Sequence, residues 1–194
     1  MNEKKVTEPG MRPVASDPTV MNDVEPGDSD RLLRIYLQDH FAGSTAGLAL
    51  VRRCRRANPA LEQLLADLEK DIVEDRTSLE SIMSRLGVEP SRVKSAFGSV
   101  AELVGRLKNN GTLTRYSPSS RVIELEGLAA GVVTKRNLWN ALSTIAAERS
   151  ELDAAELDRL IERSTAQLET ILGAHRPAAA DAFATTRRTE QPRP

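Results

Sequence analysis

The chain has 194 residues and is 40% hydrophobic, which is enough to bury one sizeable core without requiring a second domain. Its 27 Lys and Arg residues nearly balance its 28 Asp and Glu residues, so the summed charge favours neither nucleic acid nor a membrane surface as a partner. The single Cys54 cannot form an internal disulfide, which is typical of a reducing compartment and indicates a cytoplasmic protein.

The two ends of the chain have the composition of disordered segments. The first 29 residues contain Pro9, Pro13, Pro18 and Pro26 among acidic and small polar residues, and they lack the apolar run of a secretory signal. Such segments bury too little apolar surface to offset the entropy that ordering costs. We predict a disordered leader over residues 1–29, a folded domain over 30–183 and a disordered tail over 184–194.

Between these ends, apolar residues recur at intervals of three and four, which predicts an all-α fold. The first helix is expected to begin after a cap at Ser29 or Asp30 and to end at Ala57. The second is expected to start near Pro59 and to end at Gly87 in the left-handed conformation.

The second half of the chain predicts a weaker, Gly-interrupted helix within residues 91–110 and then two long helices. The third helix is expected to start at Ser119 or Ser120, after a segment that Pro118 keeps extended. The fourth is expected to start near Ser150, where the sequence S-E-L-D is a variant of the capping box. Short joins make each successive pair an antiparallel hairpin. A link of roughly thirty residues at 1.5 Å per helical residue is long enough to return along the bundle and leave the third helix parallel to the second.

This arrangement of two antiparallel hairpins joined by a long crossover with a shorter helix resembles the ferritin-like superfamily of four-helix bundles, over roughly residues 31–183. In iron-binding members, the resemblance implies a core di-metal site built from glutamates and two Glu-x-x-His pairs. Neither His40 nor His175 lies in such a pair. We therefore expect a degenerate member that holds no cofactor and lacks ferroxidase, oxygenase and iron-storage activity.

One charged residue, Asp75, interrupts the apolar seam of the second helix, whose other members are Leu61, Leu65, Leu68, Ile72, Leu79, Ile82 and Leu86. On the first helix, His40 belongs to a predicted seam of Leu33, Tyr36, His40, Gly43, Gly47, Leu50 and Cys54. A buried carboxylate without a partner costs several kcal/mol, so Asp75 is expected to be paired. Counting from the turn at Asn58 brings several polar residues to one level. We predict a core network of His40 and Asp75 with either Lys135 or Arg136 from the third helix and either Ser164 or Gln167 from the fourth.

Two alternatives to a purely structural core follow from the same residues. The first is an atypical metal site with redox activity, whose candidate ligands are Asp39, His40, Asp75 and either Glu124 or Glu126. A cation at the level of Asp75 would repel such a metal. The second is a small-molecule site beside the small-residue runs at 42–49 and 127–133, although these runs more simply indicate close contact between the first and third helices.

Three further features have both a functional and a structural interpretation. The run RRCRR at 52–56 either holds an anion or forms a solvated face near the end of the first helix. Cys54 is either activated by these arginines or a small apolar core residue. His175 is expected near the end of the fourth helix in a surface role. Taken together, the sequence predicts a non-catalytic interaction or structural protein that binds an unidentified protein partner or forms a homo-oligomer.

Overall fold

The computed structural model describes residues 26–90 and 116–184. These residues form four long helices and no strands: α1 (Pro26–Ala57), α2 (Glu62–Arg85), α3 (Pro118–Ile145) and α4 (Ala154–Phe183). Short 3-10 turns at Pro59–Leu61 and Ala146–Glu148 follow α1 and α3. The predicted all-α class is confirmed for the described part of the chain. The predicted helix within residues 91–110 lies outside the described residues, as do residues 1–25 and 185–194 of the two ends.

The α1–α2 hairpin begins earlier than the sequence suggested. α1 starts at Pro26, inside the predicted leader, rather than after Ser29 or Asp30. Proline suits a first helical position because its missing N–H has no partner there, and Asp28 complements the helix dipole in the first turn. α1 ends at Ala57, where the Asn58 side chain donates a 2.8 Å hydrogen bond to the Cys54 carbonyl.

The end of α2 confirms the predicted left-handed glycine. Gly87 has a φ of +66°, a conformation that a side chain would strain. The Val88 N–H bonds to the Met83 carbonyl at 2.8 Å, and the Gly87 N–H bonds to the Ser84 carbonyl at 3.1 Å, which is the Schellman pattern. Val88 and Met83 are both buried in the core, so this turn also fixes the direction in which the chain leaves α2.

α3 begins close to its predicted position, whereas α4 begins later than predicted. α3 starts at Pro118, next to the predicted start near Ser119 or Ser120, and its cap is Ser117, which is extended and whose side chain accepts a hydrogen bond from the Ser120 N–H. Asp153, and not Ser150, caps α4, and its Oδ1 accepts from the N–H groups of the second and third helical residues at 2.9 and 3.2 Å. Because α3 tightens into a 3-10 turn before ending, α4 starts one turn later than expected.

Two apolar clusters define the topology of the bundle. The first joins the C-terminal halves of α1 and α4 to the N-terminal halves of α2 and α3; its central members are Val51, Leu65, Leu125 and Ile171. The second joins the opposite halves, through Leu37, Ile82, Leu142 and Leu157. α2 and α3 therefore run parallel across the diagonal, and neighbouring helices are antiparallel. α1 packs on α2 and α3, whereas α4 packs closely on α3 and loosely on α2.

The buried face of α1 is rotated from the predicted seam. Leu37 and Phe41 are buried, whereas Gly43 is exposed and His40 lies at the edge of the core. Residues 42–49 are mostly small, so this run does not define which face of the helix is apolar. The larger side chains before and after the run determine which face is buried. A Cβ added to Gly127 would lie 3.1 Å from Leu50 Cδ2, and the close contact of α1 with α3 is made at this glycine.

Candidate functional site

Asp75 is the centre of a buried ionic network between α2, α3 and α4. Its side chain is 2% exposed and accepts hydrogen bonds from Lys135 Nζ at one oxygen and from an Arg163 η nitrogen at the other. Gln167 Nε2 donates to Asp75 Oδ2 at 3.2 Å, and Gln167 Oε1 accepts from Lys135. One carboxylate is therefore held by two cations and an amide.

Two outer carboxylates connect this network to the surface. Gln167 Nε2 also lies 3.2 Å from Asp71 Oδ2, and Arg163 Nη1 lies 3.1 Å from Glu74 Oε2. Lys135 remains 16% exposed and Arg163 30% exposed, whereas the Asp75 side chain that both contact is 2% exposed. Each cation thus has a carboxylate within reach, and the cluster is close to charge balance.

The chemistry of this network is dominated by its buried charges. Burial lowers the pKa of the Lys135 ammonium, the Asp75 carboxylate opposes that shift, and the Arg163 cation adds to it. The attraction between these buried charges offsets the free-energy cost of removing them from water only while every partner is present. A metal ion bound to Asp75 would have to displace both cations.

The structure joins three of the six candidate residues of the predicted core network: Asp75, Lys135 and Gln167. Ser164 is fully buried, but its hydroxyl donates to the Leu160 carbonyl of its own helix at 2.7 Å. No hydrogen bond or ion pair between residues of the two described ranges joins His40 or Arg136 to Asp75.

Sequence reasoning missed Arg163, which supplies the second cation. It stands four residues before Gln167, so the two side chains share a face of α4, and this spacing was the available signal.

His40 instead packs against its own helix. Its ring stands edge-on to Tyr36 with 4.5 Å between the ring centroids. Burial lowers the pKa of His40, and the neighbouring Asp39 carboxylate opposes the shift. Asp39 itself is exposed. Asp39 therefore lies on the surface of α1 and His40 at the edge of the core, and neither side chain contacts the Asp75 network.

A second buried carboxylate, Glu124, lies near the first turn of α3. Its Oε2 accepts a 2.8 Å hydrogen bond from the Tyr116 hydroxyl, which in turn accepts a 2.6 Å hydrogen bond from Asn58 Nδ2. Arg53 Nε is 2.9 Å from Oε1, but its N–H is not directed at that oxygen, so the contact is an ion pair without a hydrogen bond. Arg121 Nε donates to Asn58 Oδ1 at 2.7 Å. This cluster ties the α1–α2 turn to the start of α3.

Cys54 belongs to the same cluster and is buried. Burial raises the pKa of its thiol, the Glu124 carboxylate raises it further, and the Arg53 cation opposes these effects. Burial likewise raises the pKa of the Tyr116 hydroxyl. The thiol is therefore held protonated, and the neighbouring arginines do not activate it.

Two other arginines of the RRCRR run pair with acidic residues of α2. Arg52 and Arg55 hold the two oxygens of Glu69 at 2.7 and 2.5 Å, and Arg55 also lies 3.2 Å from Glu62. These contacts fasten the outer edges of α1 and α2 together.

The proposed metal ligands are dispersed. Glu126 is exposed on α3 and lies 3.1 Å from His175 of α4, while Glu124, Asp39 and Asp75 occupy the separate environments given above. Among residues 26–90 and 116–184, no group of three or more His, Cys, Asp or Glu side chains is placed to hold a metal ion.

Comparisons of the chain with protein-family models, curated proteins and solved structures gave no match. Within the described ranges, none of the helices combines the length and apolar character that crossing a membrane requires.

Proposed function

We propose that the protein is a non-catalytic, ferritin-like helical bundle that acts in the cytoplasm as an interaction or structural protein. The proposal rests on one observation: Lys135, Arg163 and Gln167 all donate hydrogen bonds to the Asp75 carboxylate. The most deeply buried carboxylate of the mid-bundle is satisfied by the side chains of the chain itself, and it presents no free ligand to a metal or substrate.

The helix directions support the ferritin-like part of this proposal. α2 and α3 run parallel across the diagonal while neighbouring helices are antiparallel, as in bundles with one long crossover. In iron-binding bundles of that type, metal ions balance the charge of the core carboxylates. Here the cations of Lys135 and Arg163 take that charge-balancing place.

Metal analysis separates this proposal from an atypical redox centre. The untagged protein, purified without chelator, is measured by plasma mass spectrometry beside Asp75→Asn and the matched change Asp71→Asn, which alters a half-buried carboxylate one turn away. We expect no stoichiometric metal in any of the three proteins. Near-stoichiometric iron, manganese or zinc that is lost in Asp75→Asn and kept in Asp71→Asn would overturn the proposal.

Self-association is tested separately by sedimentation velocity over a wide range of protein concentration. A concentration-dependent dimer or larger species would support an interaction through copies of the same chain. A monomer at every concentration would restrict the proposal to a different protein partner.

A further inference from the structure

The outer face of α1 carries an apolar seam that the described helices leave partly uncovered, with Ala49 exposed and Ala42 and Ala46 half-buried. Leu32 and Ile35 are 58% and 46% exposed, and the same face continues through Ala42, Ala46 and Ala49. With Asp39, these positions alternate by three and four, the spacing that seats a second helix. The small side chains at 42–49 would let that helix approach closely. Because α1 already packs its opposite face on α2 and α3, the seam is a second, independent packing face.

The chain on either side of residues 91–115 lies beside α1, at Gln38 on one side and just beyond the last residue of α1 on the other. The Glu89 carbonyl accepts a 3.4 Å hydrogen bond from Gln38 Nε2, so the chain leaves α2 beside the N-terminal half of α1. Tyr116 bonds to Asn58, immediately after the last residue of α1. The path from Gln38 to Asn58 is about 30 Å at 1.5 Å per residue, and residues 91–115 are long enough to cover it in helical form.

The sequence of this interval has the complementary pattern. Its apolar residues Val93, Phe97, Val100, Leu103 and Leu107 are spaced by four, three, three and four, and the charged residues of 92–108 fall outside that stripe. A helix running from the Gln38 end to the Asn58 end would lie parallel to α1. In that register, Val100 falls about level with Ala46, and Lys94 falls about level with Asp39, the acidic residue of the seam.

We propose that residues 92–108 dock as an amphipathic helix along the outer face of α1, parallel to it, and cover the seam from Ile35 to Ala49. The proposal does not depend on the proposed function, since it concerns packing within one chain. It assigns the small-residue run of α1 to contact with the crossover segment.

Cysteine pairs in the full-length chain test the placement. Ala46→Cys with Val100→Cys is compared with Leu172→Cys and Val100→Cys, which probes the exposed side of α4, and with Ala46→Cys and Glu102→Cys, which probes the opposite side of the segment. Cys54 stays in place because it is buried. Under mild oxidation, the first pair is expected to form an intramolecular disulfide at least about tenfold faster than either control, because the bond requires Cα atoms within about 7 Å.

Two results would overturn the proposal. Faster closure of the Leu172 pair would place the segment on the α4 side of the bundle. A covalent dimer formed by Ala46→Cys alone, without intramolecular closure in the double variant, would make a second copy of the chain the occupant of the seam.

Limited proteolysis gives an independent readout. Trypsin sites lie at Arg92, Lys94, Arg106, Lys108 and Arg115. Ala46→Arg is expected to accelerate cleavage in this interval several-fold while the helical circular dichroism is retained, because Ala46 faces away from the bundle core. Ala130→Arg, a change on the exposed face of α3, is expected to leave the rate as in wild type. Equal rates in the two variants would overturn the proposal.

Discussion

Among the described residues two carboxylates are buried, Asp75 and Glu124, and their partners differ. Asp75 lies mid-bundle and receives two cations from α3 and α4, while Glu124 lies near the α1–α2 turn and receives the Tyr116 hydroxyl and one cation from α1. The Asp75 network is held by full charges from distant parts of the chain. The Glu124 cluster combines one ion pair with neutral hydrogen bonds that link a turn to a helix start.

This difference between the two sites indicates where removing a charge costs more stability. Neutralising Asp75 would leave Lys135, which is 16% exposed, without its direct counter-ion, and would leave Arg163, which is 30% exposed, with Glu74 alone. Removing the charge of Glu124 would strand Arg53, which is 36% exposed and can turn to solvent. The same kind of substitution should therefore have unequal effects at the two sites.

The largest expected effect is that of Asp75→Asn. We expect it to lower the free energy of unfolding by about 3–5 kcal/mol, the cost of breaking a buried ion pair on one side. Glu124→Gln should cost only about 1–2 kcal/mol, because its amide oxygen can still accept from Tyr116. Urea unfolding of both variants beside wild type measures the difference. Equal losses at the two sites would show that Lys135 and Arg163 become solvated as easily as Arg53 when the carboxylate is neutralised.

A smaller effect is expected from Tyr116→Phe, which removes the neutral donor to Glu124. The buried Oε2 then loses its hydrogen bond from this hydroxyl, and we expect a loss of about 1 kcal/mol in the free energy of unfolding. Tyr36→Phe is the matched control, because Tyr36 contributes its ring to His40 rather than a hydroxyl to a buried carboxylate. A loss as large in the control would show that the effect does not depend on the hydrogen bond to Glu124.

The smallest effect concerns His40, which lies outside both carboxylate sites. Its pKa is lower in the folded state than its ordinary value of 6.5, so the unfolded chain binds the proton more readily, and stability is lost as the pH falls through and below 6.5. The contribution should be on the order of a few tenths of a kcal/mol, because the ring is only partly buried.

The His40 contribution is measured as the difference between wild type and His40→Gln in urea unfolding at pH 7.5 and 5.5. Asp39→Asn should steepen the dependence, since the Asp39 carboxylate opposes the shift. A shallower dependence in that variant would contradict the assignment.

The sequence predicted the regular parts of this fold well. The spacing of α2 identified Leu65, Leu68, Ile72 and Leu79 as core residues and Asp75 as the charged residue among them, because large aliphatic side chains give a clear helical phase. The stop at Gly87 was predictable for a local reason, since a left-handed residue favours glycine.

The parts that sequence reasoning missed depend on side-chain reach or on weak local signals. Arg163 lies beside the buried face of α4, and its long side chain reaches sideways to Asp75, which periodicity does not capture. The sequence left Lys135 and Arg136 as alternatives. Neighbouring residues of a helix point about 100° apart, and only the packed structure shows which of the two faces Asp75. The Asp153 cap competed with Ser150, and the choice depended on where α3 tightened into its 3-10 turn.

The Asp75 network also has a consequence for folding. The α1–α2 hairpin contributes the carboxylate, and the α3–α4 hairpin contributes both cations and the amide, so neither hairpin alone neutralises the charge on its apolar face. A hairpin shifted along its neighbour by a turn of about 5.4 Å would leave an ion without its counter-charge in a low-dielectric interior. The network therefore makes the two hairpins one cooperative unit, in which local opening of either half weakens the other.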